Sequence, residues 1–126
     1  MKKIIFTDKA PAPIGPYSQA VVFGNTLYTS GQIALDPATG ELVTGDIETE
    51  TKQVMENMKA VLEAAGTTFE NVIKSTIFIS NMDDFAKINT VYGAYFNEKT
   101  APARETVQVA KLPKNVNVEI SMIVGL

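Results

Sequence analysis

Apolar residues along this 126-residue chain follow two rhythms. Short or alternating apolar runs predict strands, and recurrence every three or four residues predicts helices. Ile4-Ile5-Phe6 reads as a first strand. Gln19–Phe23 and Thr26–Ile33 flank Gly24-Asn25, a two-residue turn, and predict a hairpin. From Asp46 the period changes. Ile47, Thr51, Val54, Met55, Met58, Val61, Leu62 and Ala65 share one helical face, and Gly66 stands where a glycine ends a helix. Glu48, Glu50, Glu56 and Lys59 occupy the opposite face and read as its solvated surface. Val72–Ile79 is rich in β-branched residues and reads as a buried strand. Asn81 is placed to cap a second helix, with Asp83 and Asp84 near its positive end. Phe85, Ile88, Tyr92, Tyr95 and Phe96 form that helix's stripe and read as core rather than as a cofactor box. Glu105–Ala110 and Val116–Val124, joined around Leu112-Pro113, are the last strands.

The order β-β-β-α-β-α-β-β, without repeat or linker, predicts one α+β domain over residues 1–126. Two amphipathic helices cover one face of a six-stranded sheet. Along the final strand Val116, Val118, Ile120, Met122 and Val124 point one way, and Asn117, Glu119, Ser121 and Ile123 the other. That second face is mixed rather than polar, which points to a partner subunit.

Composition narrows the chemistry sharply, because the chain has no cysteine and no histidine. Disulfides, thiol nucleophiles and a Ser-His-Asp triad are excluded, and a metal centre is not expected. Proton transfer falls to Asp, Glu, Lys, Tyr or water. A net charge of −3 and the lack of a basic run argue against a nucleic-acid partner. No apolar run approaches the roughly 18 residues of a membrane span, and the apolar stretch after Lys2-Lys3 is too short for a signal peptide. A cytoplasmic protein is expected.

Four places hold polar residues in unusual company. In Gly15-Pro16-Tyr17-Ser18-Gln19-Ala20 a proline-shaped loop delivers Tyr17 to a strand; a packed structural turn is the alternative. Thr29-Ser30-Gly31-Gln32 sets a glycine inside a strand, which marks either a close ligand approach or a β-bulge. Arg104, the sole arginine, follows Ala101-Pro102-Ala103, and its planar fork suits a carboxylate; a surface ion pair is the other reading. Glu119 lies between Val118 and Ile120. Burial at an interface would raise its pKa and make it a base for water, whereas exposure would leave it inert.

Gly-Pro-Tyr-Ser-Gln-Ala at 15–20, Ser-Gly-Gln-Ile at 30–33, Pro-Ala-Arg at 102–104, Leu-Pro at 112–113 and Val-Glu-Ile at 118–120 occur together. In this combination the chain closely resembles the Rid family, the reactive-intermediate deaminases also called YjgF-like proteins. The resemblance implies a chorismate-mutase-like fold and a homotrimer, with three sheets forming a central barrel and clefts between subunits. It implies hydrolysis of 2-aminoacrylate or 2-iminopropionate to a keto acid and ammonia, without a cofactor. By the same resemblance Arg104 binds the substrate carboxylate, Glu119 positions the attacking water, Ser30 and Gly31 line the pocket, Tyr17 closes it from a neighbouring chain, and Asn89 is a further pocket position. Two departures stand out. Thr106 replaces a cysteine common in relatives, so thiol chemistry does not carry over. Glu105 follows the arginine where many relatives have a small hydroxyl residue; strand alternation is expected to turn it away from Arg104. The resemblance leaves two other roles in view, a ligand-binding regulatory trimer that takes a keto acid in the same cleft, and an RNA-cleaving or translation-inhibiting protein.

Overall fold

The computed structural model describes residues 1–126. Its strands are β1 (Lys3–Ile5), β2 (Ala20–Phe23), β3 (Thr26–Thr29), β4 (Val72–Ile79), β5 (Ala103–Gln108) and β6 (Val118–Gly125), and its helices α1 (Ile47–Ala64) and α2 (Phe85–Gly93). They form one six-stranded sheet in the order β1-β2-β3-β6-β4-β5. Every pairing is antiparallel except β4 with β5, which α2 connects as a crossover. This is the α+β architecture expected, a mixed sheet with two helices.

The core lies between the sheet and the helices. Val54, Met55, Met58, Val61 and Leu62 of α1 pack on Leu27, Ile77, Val118, Ile120 and Val124. Each such side chain contributes roughly 1.5–3 kcal/mol by leaving water. The ends of α1 are set locally. Asp46 Oδ1 accepts from the Thr49 amide at 2.8 Å. At the other end Gly66 takes φ +78°, and the amides of Gly66 and Thr67 reach the carbonyls of Glu63 and Leu62. That pattern ends the helix with a left-handed glycine, as the sequence predicts.

Three expectations need correction. The third strand stops at Thr29 instead of Ile33. Tyr28 pairs with Ile123 and Gln32 with Ile120, so three residues, Thr29 to Gly31, face two, Ser121 and Met122. This is a β-bulge, and the Thr29 hydroxyl accepts from the Met122 amide that the bulge takes out of the ladder. Arg104 lies inside β5, which begins at Ala103 rather than Glu105. Glu50 is not solvated: it is 1% exposed, whereas Glu48, Glu56 and Lys59 are exposed as predicted. Asn81 does cap the approach to α2, accepting from the Asp83 amide of a short 3-10 turn, Met82–Asp84, that leads into the helix.

The second sheet face has no helix over it. Ile4, Tyr28 and Val107 stand exposed there, with Ile123 and Phe78 half-buried. No helix is long and apolar enough to cross a membrane.

Candidate active site

The residues singled out in the sequence fall into two cavities on opposite faces of the sheet. Alternation along β6 decides this: Val118, Ile120 and Met122 are buried under the helices, so Glu119 points to the uncovered face. Arg104 pairs in register with Ser75, which pairs with Met122, so Arg104 lies on the helix-covered face at the sheet edge.

The first cavity, of about 400 Å³, is lined by Tyr17, Ser30, Gly31, Lys114 and Glu119 beside apolar Ile14. Its wall is the proline-rich loop, tied down by one side chain. Buried Gln19 donates to the carbonyls of Thr7, Ala10 and Pro11 and accepts from the Thr7 amide at 2.7 Å. Tyr17 is thereby presented at 51% exposure rather than packed away. Ser30 Oγ donates to the Ser18 carbonyl at 2.6 Å, which leaves its lone pairs facing outward as acceptors. The bulge brings Gly31 against Glu119, where an added Cβ would sit 2.7 Å from the carboxyl carbon. Only glycine fits there without displacing the carboxylate. Burial raises the Glu119 pKa above its ordinary value, so the carboxyl holds its proton more tightly than a solvated one. Lys114 completes the rim at φ +56°, a left-handed conformation costing a lysine roughly 1–2 kcal/mol, and Asn115 after it takes the same φ, which asparagine tolerates.

Gly31→Ala is therefore expected to leave the fold intact, because the position is exposed, and to push the Glu119 carboxyl aside. Displacement of a reacting group by about 1 Å costs on the order of 100-fold in rate. Steady-state kinetics beside a melting curve checks this; a full rate at an unchanged Tm would show that the Glu119 position carries no rate.

The second cavity, of about 490 Å³, is lined by Asn89, Tyr92, Phe96, Glu98, Pro102 and Arg104. Arg104 is held on three sides. Its Nη1 donates to Asn89 Oδ1 at 2.6 Å. Its guanidinium carbon lies 5.1 Å from the Tyr92 ring centre and 5.5 Å from that of Phe85. Tyr92 is fixed in turn by donating to Ser75 Oγ at 2.8 Å. No carboxylate pairs with Arg104. The one ion pair of the chain joins Lys74 and Glu105, and Glu105 faces away from Arg104 as alternation predicted. The surface ion-pair reading of Arg104 is thus excluded, and most of its five-donor fork is free.

One chain therefore brings Tyr17, Ser30, Gly31 and Glu119 together, and separately Asn89 with Arg104, but does not join the two sets. Sequence reading missed Gln19, Lys114, Glu50 and Asn57 as supports. Asn57 is buried in α1 and donates to the Ile33 and Leu35 carbonyls at 3.0 and 2.8 Å, fixing the strand segment beyond the bulge. A signal existed for two of them: Glu50 and Asn57 fall at positions 4 before and 3 after Val54, inside the apolar stripe.

Comparisons with known proteins identify the family. The family model described as Endoribonuclease L-PSP matches residues 7–125. A RutC family protein of Pyrococcus horikoshii is 56% identical over 98% of this chain and 97% of its own. A protein of Dermatophagoides farinae named 2-iminobutanoate/2-iminopropanoate deaminase is 54% identical over 98% of this chain and 95% of its own. A crystal structure from Yersinia pestis, of a protein of the conserved Rid family, superposes with a TM-score of 0.97 at 49% identity, covering 100% of both chains. With the fold, the sequence and the family model in agreement over nearly its whole length, the chain belongs to the Rid family, the YjgF-like proteins of the Endoribonuclease L-PSP group.

Proposed function

We propose that this chain is an imine deaminase, hydrolysing 2-iminopropanoate, 2-iminobutanoate and their enamine tautomers to 2-keto acids and ammonia. The observation that carries the reading is Arg104, held ready by Asn89 and two aromatic rings with no carboxylate of its own. A free, oriented fork of this kind suits the carboxylate of a small imino acid. The deaminase name of relatives about half identical supports the same reaction class.

The chemistry is modest enough for these residues. The imine carbon is already electrophilic, so water can attack it. Glu119 takes a proton from that water as the C–O bond forms, the electron pair of the C=N bond moves to nitrogen, and the protonated carboxyl passes its proton on to that nitrogen. The carbinolamine then collapses: the C–N bond breaks, ammonia leaves, and the carbonyl of the keto acid forms. A carboxyl whose pKa burial holds above the ordinary carboxylate value suits both halves of this exchange, because it is a stronger base than a solvated carboxylate and still returns the proton it takes. Ser30 contributes acceptor capacity, and Tyr17 and Gly31 shape the space around the reacting carbon.

Arg104 and Glu119 of one chain lie on opposite sheet faces, so the reaction needs a second copy. A homotrimer closed through the uncovered face would set the Arg104 cavity of one subunit beside the Glu119 cavity of the next. The exposed Ile4, Tyr28 and Val107 supply apolar area for that contact. The endoribonuclease reading of the family description fits this chain less well, since its net charge is −3 and the Glu119 cavity holds one cation, Lys114.

The test is an assay in which a serine or threonine dehydratase generates the enamine in situ and keto-acid release is followed with and without this protein. Acceleration proportional to protein supports the proposal. No acceleration with several amino-acid-derived imines, from a sample shown by sedimentation to be trimeric, would leave a ligand-binding role for the same cleft.

A further inference from the structure

Glu50 is the most anomalous side chain in the molecule. It is 1% exposed, yet no lysine or arginine pairs with it. A buried carboxylate without a cation costs several kcal/mol, and an apolar residue at this place in the α1 stripe would ordinarily be cheaper. Two features offset the cost. Glu50 lies in the first turn of α1, at the positive end of the helix. Both carboxylate oxygens also accept charge-assisted hydrogen bonds, Oε2 from the Asn117 amide at 2.7 Å and Oε1 from Asn117 Nδ2 at 2.8 Å.

Asn117 is fully engaged as a result. Its Oδ1 accepts from Ser80 Oγ at 3.0 Å, and its carbonyl accepts from the Ser80 amide. This residue is the junction between two parts of the first cavity. Behind it in the chain lie Lys114, strained in a left-handed conformation, and Asn115 in the same region. Two residues ahead lies Glu119, whose carboxyl touches the space left by Gly31. The turn is closed locally by the Asn115 and Val116 amides, which donate to the Leu112 and Pro113 carbonyls at 3.0 and 3.3 Å. Beyond it, the tie from Asn117 to α1 is the first contact that fixes the chain to the helix layer.

We infer that Glu50 is a positioning residue of the active site, whose buried carboxylate anchors Asn117 from beneath the sheet and so fixes both Glu119 and the Lys114 rim. The inference rests on the deaminase reading for the role of Glu119, but the anchoring is measurable without it. Geometry rather than charge is what the anchor supplies. Glu50→Gln can keep the network if the Asn117 amide turns over: the new side-chain oxygen accepts from the Asn117 amide, the new NH2 donates to Asn117 Oδ1, and Asn117 Nδ2 donates to Ser80 Oγ. Glu50→Ala cannot.

Two readouts decide the matter. Imine hydrolysis by Glu50→Ala is expected to show kcat lowered by roughly 10-fold or more with KM within about twofold, and Glu50→Gln to restore most of it. The second readout is the titration of the Glu119 carboxyl, followed by NMR on protein with 13C-labelled glutamate and assigned by loss of its signal in Glu119→Gln. In Glu50→Ala a loosened strand hydrates the carboxyl, so its pKa falls toward the ordinary value; in Glu50→Gln it stays raised. Unchanged kcat and unchanged titration in folded Glu50→Ala would overturn the inference. A pKa lowered as far in Glu50→Gln as in Glu50→Ala would overturn it too, since that is the mark of a lost charge. If Glu50→Ala does not fold, Asn117→Ala removes the side-chain half of the same tie from the exposed end and leaves the backbone amide on Glu50, so the same readouts apply with a smaller effect. Should the wild-type protein prove inactive on imines, the deaminase reading fails, and the titration still tests the anchor.

Discussion

Arg104→Ala is expected to lower kcat/KM for 2-iminopropanoate by roughly 1,000-fold, about 4 kcal/mol of transition-state stabilisation, without disturbing assembly. The size follows from what the side chain does. It has no carboxylate partner to lose, and its links to the rest of the fold are one hydrogen bond to Asn89 and two ring contacts. Removing it therefore costs little stability and nearly all of the orienting force on a small substrate. Arg104→Lys should recover little. An ammonium cannot bond Asn89, lie over two rings and present parallel donors at once. The check is the dehydratase-linked assay beside sedimentation. Wild-type rates from a folded Arg104→Ala trimer would end the carboxylate assignment.

The second large effect is Glu119→Gln, which should reduce kcat by roughly 100- to 10,000-fold and leave KM close to wild type, because a base acts in the transition state more than in binding. The pH dependence follows from burial. Wild-type activity should fall as pH drops through a pKa lying above the ordinary carboxylate value, and the residual activity of the variant should lack that limb. Stability moves the other way. The folded protein binds this proton more tightly than the unfolded chain does. The favourable contribution is thus complete below the unfolded pKa and is lost as pH rises through the folded one. Above the folded pKa the ionised carboxyl is a burden on the fold, so Glu119→Gln should raise Tm there and give no gain near pH 3. A large rise in KM at unchanged kcat would mean that Glu119 shapes the cavity without moving a proton.

Much of this was legible in the chain. The change of period at Asp46, the glycine at 66 and the β-branched run at 72–79 mark elements because they are local, and propensity and capping act over a few residues. The chemistry-bearing segments were visible for a different reason: they break local rules, as glycine inside a strand and a lone arginine after proline both do. What could not be read depends on contacts distant in sequence. The third strand was read through to Ile33, and Gly31 signalled a β-bulge only as one of two alternatives, because the bulge itself depends on β6 offering two residues against three. Glu50 looked solvated because its partner Asn117 is 67 residues away. That Arg104 and Glu119 face opposite ways required the register of β4 against both β5 and β6.

That opposition has a genetic consequence. In the proposed ring the catalytic unit is a junction rather than a polypeptide, and each subunit serves two junctions, giving its arginine to one and its glutamate to the other. Arg104→Ala and Glu119→Gln are each silent alone, but they are defective on different sides. Unfolded together in equal amounts and reassembled at random, they should regain about a quarter of wild-type activity, since half the arginine-bearing sides are intact and half of those meet an intact glutamate. A chain carrying both changes restores nothing and disables two junctions of the three in any ring it joins, so one defective allele would silence more than its own share of the protein.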